Sequence, residues 1–395
     1  MTTTPKTFLQ SCYLCKSTEV SDFFSMPPVP TQDGVMCDSA EDALKIKKGN
    51  ILLRYCKSCG YIGNESHTPS NINFDNYDFS NDFSPLFGAY VNSLCEDLIA
   101  RYDLRNKTIL DVGCGDGFFL QKICQKGNNK GIGIDSGFNH SKRKNVENLD
   151  IQFIQNYYSS KYKNLQADFI ACRLVVDLLS DPIPFLKMMR SNLENHPDTI
   201  VFFEVPNAEY TFKENIIWNV VYEHRSWFTK ESLARFFEFC GFEVLHVNTL
   251  WNDEFLGITA IPKFSKTINK SNSSSQELNQ TIENFNNSFT NCISACKEKI
   301  EEIKKSNTRC IAWAAGARAV TFFNLFDLKE MIPFVVDINV KRHGKYIPGS
   351  GQQIVNPEFI IDYQAKLIVI TNPTYAEEIK EQVWAMGLNP EFWIL

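Results

Sequence analysis

Histidine is scarce in this chain, with six in 395 residues. A basic excess and any long apolar run are missing as well. The formal charge near neutral pH is −6, so the chain lacks the basic face that phosphate contacts demand, and nucleic acid is not expected as a partner. No segment reaches the roughly 18 consecutive apolar residues of a membrane span. The opening stretch MTTTPKTFLQSCYLCK has no apolar run of signal-peptide length. A cytoplasmic protein without membrane association is therefore expected. Its 44% hydrophobic and 22% charged residues match an ordinary globular chain, and its length predicts two or three domains.

Cysteine, by contrast, is plentiful: there are thirteen. In a reducing compartment disulfides are disfavoured, and cysteines paired at short spacing read as metal ligands. CYLC supplies Cys12 and Cys15, and CKSC supplies Cys56 and Cys59, followed by Gly60, which suits a knuckle turn. Four thiolates in two pairs make a closed tetrahedral zinc site, structural in character, whose binding energy helps fold a segment with little core of its own. The competing reading is unrelated pairs or a redox C-x-x-C, but the latter needs a βαβ context that is absent here. The other nine are scattered. Cys292 and Cys296 share a helical face in an amphipathic run and read as small packed side chains.

Along the chain, residues 71–88 are aromatic, acidic and rich in turn formers, leading into a helix that starts near Ser84 or Pro85. TILDV, GIGID, DIQFIQ, DFIACR and TIVFFEVP then read as strands, with helical patterns between some of them. That alternation predicts a doubly wound parallel sheet. Residues 264–281 are polar and serine-rich, as a linker would be, and a helix is expected over about 281–306. A second α/β pattern follows through RCIAWAAGARAV, IPFVVDIN, AKLIVITNP and PEFWIL.

The turn DVGCGDG, Asp111 to Gly117, puts glycines at 113, 115 and 117 directly after a strand. Glycine allows the tight turn and lets a ligand approach the main chain. A dinucleotide turn is one reading, but the spacing is G-x-G-x-G. Asp111, at the strand end, would repel a phosphate and welcome an amino group. Asp135, ending the next strand, can accept both ribose hydroxyls. This combination resembles the class I S-adenosylmethionine-dependent methyltransferases, with Asp168 near the start of the fourth strand as in their pattern.

The resemblance extends over nearly the whole chain. An N-terminal C-x-x-C…C-x-x-C module, a methyltransferase core with a Tyr-Glu-His segment, and a Rossmann-like tail is the plan of the nucleotide-sugar C-methyltransferase family. VVDINVKRHGKYIPGSGQQIVNPEF and AWAAGARAVTFFNLF look like that family's third domain. The resemblance implies a zinc module over 1–70, a cofactor-binding domain over 71–263, a linker and helix over 264–306, and a second Rossmann-like domain over 307–395. It implies S-adenosylmethionine and structural zinc as cofactors. It also implies methyl transfer to a carbon of a nucleotide-linked 4-keto-6-deoxy sugar. Asp111, Gly113, Gly115, Gly117 and Asp135 would hold the cofactor.

Methylating such a carbon needs a general base and stabilisation of the enolate oxygen. In WNVVYEHRSWFT, His224 is the natural base, since its neutral form dominates near pH 7. Glu223 could orient it if the two side chains converge in a turn, and Tyr222 could donate its hydroxyl to the acceptor. By resemblance, the family's Tyr-Glu-His triple maps onto Tyr222, Glu223 and His224, and a further tyrosine onto Tyr77. The alternative for His224 is a packed polar corner beside Trp218 and Trp227. Leu178 stands where the family carries a histidine and Arg173 where it has an asparagine. The Tyr-Glu-His segment is one residue shorter, and residues 251–260 lack the family's Gly-Gly-Ser run. These departures leave the acceptor open among activated sugars and other small molecules, including O- or N-methylation. The basic knot Lys341, Arg342, His343 and Lys345 reads either as a pyrophosphate site or as a solvated loop.

Overall fold

A computed structural model describes residues 11–69, 72–74, 77, 83–138, 148–263 and 276–395. The N-terminal part forms β1 (Val20–Pro30), α1 (Ala40–Lys45), β2 (Lys48–Cys56) and β3 (Ile62–Asn64). The central part begins with α2 (Pro85–Tyr102), capped by Ser84, whose hydroxyl accepts from the Phe87 amide at 3.2 Å. It continues through β4 (Thr108–Val112), α3 (Phe118–Gly127), β5 (Lys130–Asp135), β6 (Ile151–Gln155), β7 (Phe169–Arg173), α4 (Pro182–Asn192) and β8 (Ile200–Pro206). Then come α5 (Ala208–Lys213), β9 (Ser226–Trp227), α6 (Lys230–Phe239), β10 (Phe242–Leu250) and β11 (Phe255–Pro262).

Seven of these strands make one sheet in the order β10-β11-β8-β7-β4-β5-β6, with β4 to β8 parallel and β11 antiparallel to both its neighbours. Ile109, Leu110, Phe169, Ile170, Val201 and Phe203 are buried on its two faces, which is why β4, β7 and β8 read as continuous rather than alternating apolar runs. This is the class I methyltransferase α/β fold anticipated from the sequence. Strand order reverses at β4, so a crevice opens at the carboxyl ends of β4, β5 and β7.

The 31-residue α7 (Gln276–Ser306) follows. Its helical pattern starts at Gln276, ahead of the expected residue 281, while residues 264–275 of the expected linker lie outside the described residues. Leu278, Ile282, Phe285, Cys296, Ile300 and Ile303 are buried along it. Cys292 is partly buried against the same cluster, so these two cysteines are packing residues. The last part comprises β12 (Cys310–Trp313), α8 (Ala317–Leu325), β13 (Phe334–Val336), β14 (Gln353–Val355), α9 (Phe359–Tyr363), β15 (Leu367–Ile370), α10 (Ala376–Ala385) and β16 (Glu391–Ile394). Its five strands form an all-parallel sheet, β14-β13-β12-β15-β16, in which β14 was not anticipated.

Three parts share core. One cluster of buried side chains joins Phe24 and Leu53, Phe212 and Trp218, Phe285 on α7, and Phe322 and Val335. The N-terminal sheet, order β1-β2-β3-β9, is completed by β9 from the central part, with Ile62 opposite Trp227 and Gly63 opposite Ser226. The segment that carries the Tyr-Glu-His triple is therefore stitched into the cysteine-bearing module.

Candidate active site

The carboxyl ends of the parallel strands of the two larger sheets border one cavity of about 540 Å³. Its walls come from the β4 turn, Asp135, the loop 173–179 after β7, His224 and Trp227 on one side. Trp313, Ala314, Gly316, Arg318, Asp337, Asn339, Arg342 and Asn372 face them from the other, and Asp33 and Tyr77 also line it.

At the first end, Gly113 (φ +74°), Gly115 (φ +53°) and Gly117 (φ +82°) lie in the left-handed region that favours glycine. A Cβ at Gly113 would stand 2.3 Å from Val175 Cγ2, whereas one at Gly115 would meet open space. Gly117 caps α3 against Phe153 and turns the chain behind the cavity wall. The Gly115 amide donates to Asp135 Oδ2 at 2.9 Å and the Gly137 amide to Oδ1 at 2.8 Å. Asp135 thus closes the turn while retaining free lone pairs. Asp111 is buried on the cavity wall, and burial pushes its carboxyl up to about 7, opposed by the nearby Arg173 guanidinium. An acid in this state is suited to a cationic partner, which supplies the countercharge that burial denies it. Asp168 lies at the opposite end of the sheet, where it accepts from the Thr108 amide at 2.8 Å.

The Tyr-Glu-His triple separates into three directions. His224 faces the cavity, its ring edge-on to Trp227 at 5.0 Å, with Nε2 3.6 Å from Asp177 Oδ2. Burial lowers the imidazole to about 4 and raises Asp177 to about 7. Neither His224 Nδ1 nor Asp177 Oδ1 has a hydrogen-bond partner among the described residues. Glu223 points away from His224: Oε1 accepts from the amides of Asp33 (2.6 Å) and Gly34 (3.3 Å), and Oε2 accepts from the Tyr77 hydroxyl. The expected orientation of His224 by Glu223 is therefore replaced, and the carboxyl beside the imidazole is Asp177. Tyr222 is also displaced from its expected place. Its hydroxyl is held between the Ser66 carbonyl (3.1 Å) and the Thr68 amide (3.0 Å), and its ring stacks on His67. It packs the module and does not line the cavity.

Asp177 is not among the site residues expected from the sequence, where this loop is marked only by its neighbour Leu178. An acid inside the apolar run RLVVDLLS was the available signal. Arg173 is fixed bidentately to buried Glu204, 2.9 and 3.2 Å, and covers the Phe119 ring. Across the cavity, Arg318 donates to Asn219 (2.6 Å), Asn372 and Glu254 (2.9 Å), tying the two α/β parts together. The basic knot is dispersed: Lys341 pairs with Asp116, Arg342 with Asp337 (3.3 Å) and Lys345 with Asp38 (3.6 Å). His343 Nε2 meets the Asp337 carbonyl at 2.7 Å.

The four module sulfurs of Cys12, Cys15, Cys56 and Cys59 lie within 4.8 Å of one another. Two of their pairs, Cys12–Cys59 and Cys15–Cys56, stand 3.6 Å apart. A tetrahedral zinc–thiolate site with bonds of about 2.3 Å has sulfurs about 3.8 Å apart, so the donor set and its spacing fit that ion. The Tyr61 hydroxyl bonds Ser226 Oγ at 2.8 Å, and Arg235 donates to the Ser58 carbonyl at 3.0 Å. These contacts lock the knuckles onto the α6 face.

Among the described residues no helix is long and apolar enough to cross a membrane. Residues 87–247 match the family described as "Methyltransferase domain", and residues 259–390 the family described as "C-methyltransferase C-terminal domain". A tRNA U34 carboxymethyltransferase of Campylobacter fetus is 29% identical over 110 residues, 25% of this chain and 37% of that protein. A ubiquinone biosynthesis O-methyltransferase of Neisseria meningitidis is 27% identical over 139 residues, 33% of this chain and 57% of that protein. The chain thus spans less than two thirds of the length of these relatives. The crystal structure of a riboflavin-derivative dimethyltransferase from Streptomyces davawensis superposes with a TM-score of 0.36 at 16% identity, over 45% of this chain and 55% of that one. The two family matches, in that order on this fold, support the C-methyltransferase family: the chain carries an S-adenosylmethionine-dependent methyltransferase domain followed by a C-methyltransferase C-terminal domain.

Proposed function

We propose that the protein methylates a carbon next to a ketone in a nucleotide-linked 4-keto-6-deoxy sugar, with His224 as general base. The observation that supports this reading is the cavity shared by the carboxyl ends of the parallel strands of two sheets, with His224 and Asp177 on its wall. One sheet end offers Asp111, Gly113, Gly115 and Asp135 to the cofactor, and the other offers room and polar groups to the acceptor. S-adenosylmethionine supplies the electrophilic methyl group. Asp111 takes its ammonium group, and Asp135 its ribose hydroxyls.

A buried neutral imidazole with an unpartnered Nδ1 is in the right form to accept a proton, though burial alone leaves it a weak base. Asp177, 3.6 Å away, corrects this, because its carboxylate stabilises the imidazolium as it forms. His224 takes the proton from the acceptor carbon, and the C–H electron pair moves into the enolate. Glu223 and Tyr77 shape the wall beside it. Cys12, Cys15, Cys56 and Cys59 hold a structural zinc ion that braces the module carrying this wall.

The test is product analysis with a panel of nucleotide-linked 4-keto-6-deoxy sugars. A new methyl bonded to carbon by NMR is the expected product, and an O- or N-methyl resonance overturns the carbon assignment. His224→Ala is expected to leave S-adenosylhomocysteine affinity nearly unchanged while cutting turnover about 10²-fold or more. Loss of cofactor binding in that variant would make His224 a structural residue.

A further inference from the structure

Each cysteine knuckle carries a tyrosine beside its thiols: Tyr13 lies between Cys12 and Cys15, and Tyr61 directly follows Gly60. Their rings stand 5.8 Å apart at 35°, yet their hydroxyls reach two different segments. Asp181, at the N-cap of α4, leaves the first helical amides without a side-chain cap. The Tyr13 hydroxyl does that work instead, accepting from the Ile183 amide at 3.2 Å and donating to Asp181 Oδ1. Asp181 ends the loop that follows β7 and carries Asp177. The Tyr61 hydroxyl bonds Ser226 Oγ at 2.8 Å, on the segment that carries His224. These two segments are also joined to each other, because the amides of Arg225 (2.9 Å) and Ser226 (3.0 Å) both donate to the Asp177 carbonyl. Arg225 is held by the module in turn. Its guanidinium covers the Tyr13 ring at 5.3 Å and donates to the Asn64 carbonyl at 3.2 Å, and its own carbonyl accepts from the Asn64 amide at 3.0 Å.

We propose that Tyr13 and Tyr61 are positioning residues that carry the geometry of the cysteine knuckles to the His224–Asp177 pair. The inference rests on His224 as the base. Its Nε2 stands 3.6 Å from Asp177 Oδ2, just beyond hydrogen-bond reach. A small relative movement of the two segments therefore decides whether the carboxyl supports the imidazolium. Each tyrosine fixes one of those segments, and both side chains start from backbone that the four sulfurs pin at one point. Ring packing alone would be served by phenylalanine. The hydroxyls are what reach the loop of Asp177 and the segment of His224, as supporting groups around a site of fixed geometry must. The module thus takes part in the reaction without either tyrosine lining the cavity.

Tyr13→Phe and Tyr61→Phe in the full chain test this, since each removes one oxygen and keeps the ring. In NMR spectra of protein labelled with ¹³C-histidine, the His224 ring signal is assigned by its loss in His224→Ala. In both phenylalanine variants it is expected to move toward the position it takes in Asp177→Asn. A signal that stays at its wild-type position in both overturns the proposal. Zinc content and S-adenosylhomocysteine affinity should be unchanged, and loss of either in both variants would make the tyrosines parts of the fold alone and overturn it too. The second measurement is turnover of a thymidine-diphosphate-linked 4-keto-6-deoxy sugar. A fall in kcat of about ten-fold with KM unchanged is expected, because misplacing the base by a fraction of an ångström costs rate and not binding. A raised KM with wild-type kcat overturns the proposal. If the wild type turns over no probe of this class, the acceptor reading falls, and the His224 signal still decides the role of the two tyrosines.

Discussion

Lowering the pH from 7 to 5.5 should weaken S-adenosylhomocysteine binding about fifteen-fold through Asp111. Asp111 is 3% exposed, and burial holds its carboxyl near 7 against an ordinary 3.8, with only Arg173 offsetting the cost. The ligand's ammonium supplies the missing countercharge, so binding favours the ionised acid and releases a proton. A group titrating near 7 is about 3% ionised at pH 5.5 and about half ionised at pH 7, a ratio of roughly fifteen or about 1.6 kcal/mol. An α-amino group of ordinary pKa, about 7.7 to 8.0, stays protonated across this window, so the ligand contributes little to the slope.

Calorimetric titration over that range, in buffers of different ionisation enthalpy, measures both the affinity and the proton released. Asp111→Asn should flatten the profile and weaken binding at pH 7 by about ten- to a hundred-fold, the worth of a hydrogen bond to a charged group. Asp135 is also raised by burial, and the backbone amides of Gly115, Gly137 and Phe138 oppose that. Asp135→Asn should lower affinity and, by removing a charge that helps raise Asp111, shift the profile to lower pH. A flat wild-type profile, or an unchanged slope in Asp111→Asn, would refute the reasoning.

Two further outcomes follow from the same geometry. Gly113→Ala places a Cβ 2.3 Å from Val175 Cγ2 at φ +74°; it should lower S-adenosylhomocysteine affinity at least about ten-fold, as left-handed strain of about 1–2 kcal/mol adds to the displacement of a stiff β-branched side chain. Gly88→Ala, in α2 with nothing within 4 Å of its Cβ, should leave affinity unchanged, and equal behaviour of the two variants would contradict the close-approach argument. Metal analysis of purified protein should find one zinc per chain, and Cys56→Ser should lose it and lower the melting temperature. Unchanged melting on chelation would show that the four sulfurs hold no structural ion.

The α/β core was legible because both of its signals are local. Continuous apolar runs such as TILDV and DFIAC can be strands only if both faces are covered, and the glycines after TILDV mark where the chain must turn closely. The antiparallel N-terminal sheet was not legible. Its strands carry Pro27, Pro28 and Pro30 in β1 and only three residues in β3, and its fourth strand is two residues borrowed from position 226 onward. The Arg318 network was hidden for a different reason. Asn219, Glu254 and Asn372 are brought to Arg318 by docking of two domains, and no spacing in the sequence records that.

The site itself shows how far sequence adjacency can carry. His224 and Glu223 are neighbours in the chain, and that adjacency suggested a base with its orienting acid. The backbone sends them to opposite sides of one wall, Glu223 into the module and His224 into the cavity, and each finds its acid from a distant segment: Asp33, 190 residues upstream, and Asp177 on the loop after β7. Asp33 lies against the Glu223 carboxyl with Arg342 near it, and Asp177 has one carboxyl oxygen without a partner among the described residues. A buried acid oxygen left unsatisfied is costly to the fold, so Asp177, beside the imidazole on the cavity wall, is the place that a bound acceptor would complete. Removing the module would expose β9 and take Asp33 from the cavity wall.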